Sequence, residues 1–165
     1  MHLPAIPRPS LPPGPSQLIA KLPMMLFKPV RHSPFILQRL LLEAVLRHTF
    51  EEAIGDGDFE FLQDKYLKVE IRDINIYWYF GFNGRRLTVS RHARADATIS
   101  GELREFMLLA TQSVDPDTLF FQRRLQINGD TELGLEVKNM LDTVDMDNFP
   151  VVLKQGLKQL THLLQ

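Results

Sequence analysis

The spacing of hydrophobic positions changes several times along this chain, and each change marks an element. From Ser33-Pro34 onward, Leu42, Val45, Leu46, Thr49, Phe50 and Ala53 recur at helical intervals, with Arg39, Glu43, Arg47 and Glu51 on the opposite side. Ser33 is expected as the N-cap, Pro34 as the first helical residue, and Gly55 and Gly57 as the stop. The period then becomes two. Leu67, Val69 and Ile71 alternate with Lys68, Glu70 and Arg72. After a turn at Asp73, Ile74, Ile76, Trp78, Phe80 and Phe82 share one face, and Tyr77 and Tyr79 the other. Asn83-Gly84 is a strong hairpin signal. Leu87 and Val89 mark the return strand, and Ala95, Ala97 and Ile99 a weaker fourth strand. The expected antiparallel meander has one apolar face that needs a cover.

The rest of the chain supplies that cover. Glu102 to Thr111 predicts a helix with Phe106, Leu109 and Ala110 inward. Asp115-Pro116 opens a short helix carrying Thr118, Leu119, Phe120 and Phe121. Arg123 to Asn128 predicts a last strand with Leu125 and Ile127 on one face, ended by Gly129. Asp130 then caps a helix whose Leu133, Leu135, Val137, Met140, Leu141 and Val144 are available for packing. Pro150 opens a final segment in which Leu153, Leu157, Leu160 and Leu164 form a stripe, with Lys154, Lys158 and His162 away from it. The predicted class is α+β, a mainly antiparallel sheet with helices over one apolar face.

Charge divides the chain differently. Net charge is -1 over 165 residues, which gives no overall steering toward nucleic acid. Yet residues 1–34 hold Arg8, Lys21, Lys28 and Arg31 with no acid, and nine of the 11 prolines. The organisation read from this is a basic, proline-rich arm over 1–34, a globular domain over 35–147, and an amphipathic C-terminal segment over 148–165. Proline breaks the apolar stretches of the arm, so it has no continuous secretory h-region. No stretch approaches the about 20 apolar residues of a spanning helix. Within the arm, Leu18, Lys21, Leu22, Met25, Leu26, Phe27 and Lys28 combine apolar and only positive side chains. Such a segment suits an anionic membrane surface; a strap packed on the domain is the alternative.

The chemistry open to the chain is narrow. It has no cysteine, so disulfides, thiol nucleophiles and thiolate-held iron–sulfur clusters are excluded. Gly55-Asp56-Gly57-Asp58 suggests a calcium loop, but the twelfth position from Asp56 is Leu67, not an acid. His48 has no second ligand at metal spacing. Gly81-Phe82-Asn83-Gly84 is hairpin chemistry rather than a phosphate cradle. Ser90, Ser100 and Ser113 lie outside any nucleophile-elbow pattern. His92 near Asp96 is the one candidate acid–base pair, set against a plain solvated loop. No metal, cofactor or catalytic set is expected.

The run Asp115-Pro116-Asp117-Thr118-Leu119-Phe120-Phe121-Gln122-Arg123-Arg124-Leu125, then Gly129-Asp130-Thr131-Glu132-Leu133-Gly134-Leu135 and Val137-Lys138-Asn139, resembles the UbiT family of sterol-carrier-type accessory factors. The likeness covers roughly residues 34–145 and is strongest over 115–142. It implies a sterol carrier protein-like fold with an apolar lipid cavity. It also implies a place in oxygen-independent ubiquinone biosynthesis, without catalysis, beside UbiU- and UbiV-like iron–sulfur proteins. The implied ligand is an isoprenoid quinone or its biosynthetic intermediates. The implied location is the cytoplasm or the periphery of the inner membrane.

The aromatic sheet face fits two roles, a dry core or the wall of a cavity, and the resemblance favours the cavity. Its expected lining is Ile76, Trp78, Phe80, Phe82, Leu87, Val89, Ala97 and Ile99 from the sheet. Phe106, Leu109, Phe120, Phe121, Leu133, Val137, Met140 and Leu141 would come from the helices. A non-catalytic assembly subunit with a filled core, or a general phospholipid or fatty-acyl carrier, are the alternative functions. Arg123 and Arg124 are expected on opposite faces of the last strand, one pairing with Asp117 or Glu132. If the arm meets membranes, removing residues 1–30 will reduce co-sedimentation with anionic liposomes, and added salt will do the same to the full chain. Equal sedimentation of the two would contradict the membrane role.

Overall fold

The computed structural model describes residues 32–164. The arm segment assigned to membrane contact, Leu18 to Lys28, lies outside them. Helix α1, Phe35–Thr49, is followed after Phe50 by α2, Glu51–Asp56, and a 3-10 turn, Glu60–Leu62. Strands β1, Leu67–Ile71, β2, Ile76–Phe82, β3, Leu87–Ser90, and β4, Ala97–Gly101, come next. Then follow α3, Leu103–Ala110, α4, Pro116–Phe121, β5, Gln126–Gly129, α5, Thr131–Thr143, and α6, Val151–Leu164.

The five strands lie in the order β3-β2-β1-β4-β5. The hairpin pairs as expected, with Phe80 opposite Val89 and Phe82 opposite Leu87. The fourth strand corrects the meander. It does not continue beside β3 but crosses to the far side of β1 and pairs with it in parallel, Leu67 beside Ala97 and Val69 beside Ile99. The reason is burial: there Ala97 and Ile99 are only 1% and 3% exposed. Ala95 stays in the connection, and Asp96 anchors it. Its amide donates to the Tyr66 carbonyl at 2.8 Å, and its Oδ2 accepts from the Tyr66 amide at 2.8 Å. The carboxylate considered for acid–base work with His92 thus serves the backbone.

Leu67, Val69, Ile71, Ile76, Trp78 and Phe80 share the apolar face through the β1–β2 register. Two clusters form on it. One gathers Phe59, Leu62, Leu67, Phe82, Leu87, Ala97, Ile99, Leu133 and Val137, with Leu46 and Phe50 of the α1 end packed against it. The other gathers Ile71, Ile74, Ile76, Leu103 and Met107, with Trp78 and Phe106 alongside. On α3 the buried side chains are Leu103, Glu105, Met107 and Leu108 rather than the expected Phe106, Leu109 and Ala110, which are half-buried.

Helix ends follow side-chain chemistry with two corrections. Ser33 does not cap α1; Pro34 holds that position without a side-chain bond, and Gln38 Nε2 instead donates back to the Ser33 carbonyl and Oγ at 3.1 and 3.2 Å. Of the two glycines, Gly57 stops the helix, at φ 83, while Gly55 lies inside α2. Asp115 and Asp130 cap α4 and α5 as expected. Asp115 accepts from the Thr118 amide at 2.9 Å, and Asp130 from the Glu132 and Leu133 amides at 3.0 and 3.1 Å.

The Leu133 amide, then the Lys65 ammonium, holds the Asp130 carboxyl below its ordinary value of 3.8. Such a group stabilises the fold above its unfolded pKa, and the contribution is lost as pH falls through the lower folded value. Asp130→Asn keeps an oxygen acceptor but does not titrate. Melting scans will therefore show a shallower loss of stability below pH 3.8 in this variant than in the wild type. Gly129 gives a sharper test. Its φ is 101, and a Cβ there would stand 2.4 Å from the Asp96 carbonyl oxygen. Gly129→Ala will cost roughly 3 kcal/mol and lower Tm on the order of 10 °C, measured by thermal denaturation.

Candidate lipid-binding groove

Helix α1 carries more apolar surface than one packed face can hide. Ile36, Leu37, Leu40 and Leu41 are 61, 48, 55 and 60% exposed. Its C-terminal end joins the core through Leu46 and Phe50. Upstream, two polar bonds tie it to the sheet. Gln38 Oε1 accepts from Trp78 Nε1 at 3.0 Å. Glu43 Oε1 accepts from the Val89 amide at 3.0 Å, giving the edge strand β3 a partner where an open edge would otherwise be.

Beside these ties the helix and sheet enclose a half-open hollow of about 580 Å³. Leu37, Leu41, Leu42 and Val45 line it from α1, Ile71, Ile74, Ile76 and Trp78 from the sheet side, and Leu153 from α6; Ser33 and Gln38 complete it. Its surface is almost wholly apolar, and its volume falls in the roughly 300–1,000 Å³ range of small-molecule sites. A smaller apolar hollow of about 150 Å³ lies against the larger core cluster. Phe80, Leu87, Val137, Met140 and Leu141 line it together with Leu46, Phe50, Phe59, Phe61, Leu62, Leu67 and Val69.

The expected lining residues therefore separate. Ile76 and Trp78 reach the larger groove, and Phe80, Leu87, Val137, Met140 and Leu141 the smaller hollow. Phe82, Val89, Ala97, Ile99 and Leu133 are buried in packed core and line neither. Phe106 and Phe120 pack half-buried against core clusters, and Leu109, also half-buried, lines neither hollow. Phe121 is a correction. At 93% exposed it points away from any cavity, because α4 is only a single short turn segment whose inward residue is Leu119, 0% exposed. Leu135, 55% exposed, likewise does not pack. The residues missed are those of α1, together with Ile71, Ile74 and Leu153. The clustering of Phe35, Ile36, Leu37, Leu40, Leu41 and Leu42 around more than one side of the helix was the signal for them.

The long signature run proves to be scaffold. Leu119, Leu125 and Leu133 are its fully buried side chains. Lys138 of α5 pairs with Asp117 of α4, which raises the lysine pKa. Gly134 lets α5 approach Ile127, whose Cγ2 would lie 2.5 Å from an added Cβ. Arg124 Nη2 stands 2.6 Å from Glu105 Oε2, a carboxylate only 9% exposed. Neither Asp117 nor Glu132 takes an arginine, and the expected placement of Arg123 and Arg124 on strand faces fails because both precede β5, Arg123 in a turn at φ 59. Among the described residues no cluster of His, Asp and Glu suited to a metal is present, and no helix is long and apolar enough to cross a membrane.

Comparison with known proteins gives this geometry a family. The family profile of the SCP-2 sterol transfer family matches residues 42–142. The ubiquinone biosynthesis accessory factor UbiT of Escherichia coli strain K12 is 41% identical over 150 residues, covering 91% of this chain and 86% of that protein. The same protein from Escherichia coli O157:H7 matches equally. Among solved structures, the ubiquinone synthesis protein UbiJ-SCP2 superposes with a TM-score of 0.56 at 19% identity, over 68% of this chain and all of that one. That likeness supports the fold: an α+β sheet with helices over one face, as in sterol carrier proteins. On these grounds the chain belongs to the UbiT family of ubiquinone biosynthesis accessory factors, within the SCP-2 sterol transfer family.

Proposed function

We propose that the protein binds the polyprenyl tail of ubiquinone intermediates in the groove under α1 and leaves the ring accessible to enzymes that modify it. The observation that carries this reading is the apolar groove of about 580 Å³ between α1 and the sheet, in a chain of an SCP-2 family whose UbiT relatives serve ubiquinone biosynthesis. An isoprenoid tail makes no hydrogen bonds, so a wall of Leu, Ile and Val with one indole meets all its demands. Each methylene removed from water contributes up to about 0.8 kcal/mol.

The tail of such an intermediate partitions into the bilayer, whereas a hydroxylating enzyme without a membrane anchor works in water. A component that covers the tail solves this. In our reading the setting is the oxygen-independent route, and the modifying partners are UbiU- and UbiV-like iron–sulfur proteins. The protein itself performs no catalysis, and it acts in the cytoplasm with reversible contact to the anionic surface of the inner membrane through its basic arm. The absence of cysteine means that cluster chemistry by thiolates has to come from such partners.

The test is lipid extraction from the purified protein followed by mass spectrometry, on the wild type and on Val45→Trp, which fills the groove. Val45→Trp will keep Tm within a few degrees, as roughly expected where a new side chain enters empty space, and will lose the bound prenyl lipid. Ala97→Phe is the contrasting variant: Ala97 sits in packed core, so overpacking there will cost typically about 1–3 kcal/mol. Wild-type protein that retains no lipid even when supplied with prenylquinone would overturn the reading. Retention of fatty acids or phospholipids to the exclusion of prenyl compounds would replace it with a general carrier.

A further inference from the structure

A second recess, of about 220 Å³, opens beside the apolar groove and differs from it in chemistry. The two share Ser33, Gln38 and Ile76 as wall residues. The recess adds Phe35, Asn75, Tyr77 and Arg91, and its surface is mostly polar. No acid lines it. Arg91, just past the end of β3, is exposed and makes no ion pair or hydrogen bond among the described residues. Asn75 is fixed in the turn before β2 at φ 53, and its side-chain amide adds two donors and an acceptor.

We infer that this recess seats the oxygenated aromatic head of a prenylated ring whose tail lies in the groove, with Arg91 donating to a ring oxygen. The inference rests on the tail-binding reading and adds to it where the other end of the ligand goes. Three features select the head. A guanidinium without a neighbouring carboxylate calls for an acceptor from the ligand, such as a quinone carbonyl, phenolate or carboxylate. Phe35 provides aromatic surface, and a planar guanidinium stacks well on flat rings; a tetrahedral phosphate would leave that surface unused. The recess is also half-open, so a ring held there stays within reach of another protein. Because the shared wall of Ser33, Gln38 and Ile76 runs between polar and apolar compartments, an amphipath can cross it without burying its head or exposing its tail.

Trp78 is the sole tryptophan of the chain and lines the groove, so its fluorescence reports ligand entry without a label. The probes are a decyl-tailed ubiquinone analogue, decanol, and didecanoyl phosphatidic acid, each titrated into the full-length wild type and Arg91→Gln, with a melting curve to confirm that the variant folds. Loss of a charge-assisted hydrogen bond predicts that Arg91→Gln weakens binding of the quinone by about tenfold or more and that of decanol by less than about twofold. Wild-type binding of both single-tailed probes with no change in the variant would overturn the head seat and leave the groove standing. Wild-type binding of neither would overturn the tail reading and the head seat together. A larger loss for phosphatidic acid than for the quinone would assign the recess to a phospholipid head and overturn the aromatic assignment.

Discussion

The carboxylate of Glu43 on the Val89 amide, with the Gln38–Trp78 bond, determines what kind of protein this sheet becomes. A helix laid flat on an aromatic sheet face makes a solid core, because side chains interdigitate until the voids are smaller than a water molecule. Here the C-terminal end of α1 packs against the larger core cluster through Leu46 and Phe50, leaving only the smaller hollow beside them. Upstream, two hydrogen bonds of 3.0 Å fix its position at the sheet instead. An apolar groove is left where Leu41, Leu42 and Val45 look across at Ile76 and Trp78. Polar bonds at the rim are a sound way to hold such a gap open, since they are directional and hydrophobic contact is not.

The opposite end of the molecule shows the complementary strategy. Around β4, β5, α4 and the start of α5 the side chains pack closely. Leu119, Leu125 and Leu133 are fully buried. Gly129 and Gly134 sit where a Cβ would collide, and Glu105 is held beneath Arg124. A carboxylate this deep is costly to strand, so the pair ties α3 to the segment entering β5. The family profile of the SCP-2 sterol transfer family spans this segment and most of the groove-bearing sheet alike. That packed end stands apart from the groove, whose wall is built mainly from aliphatic residues.

This division suits a carrier. In the proposed carrier role, the exposed Leu37 and Leu41 beside the open groove are where a long apolar ligand would enter. The polar recess beside it shares Ser33, Gln38 and Ile76 with the groove, which is what the proposed head seat builds on.

The sequence alone determined a great deal. Period-two alternation from Leu67 to Phe82, Asn83-Gly84, and the caps at Asp115 and Asp130 located the strands, hairpin and helices, because those signals act through near neighbours. It also removed thiol chemistry outright. Its lining of the cavity was read from side-chain alternation on β2, which assigns a face but not what stands over it. Only the tertiary structure decided that β4 crosses to β1, which consigned Ala97 and Ile99 to packed core. It also decided that α4 turns Phe121 outward, and that α1 with Leu153 of α6, rather than α3 and α4, roofs the groove. Those outcomes depend on contacts between residues far apart in the chain, such as Glu43 with Val89 and Gln38 with Trp78. Local periodicity carries no record of such pairings, so the empty space they enclose becomes visible only once the chain is folded.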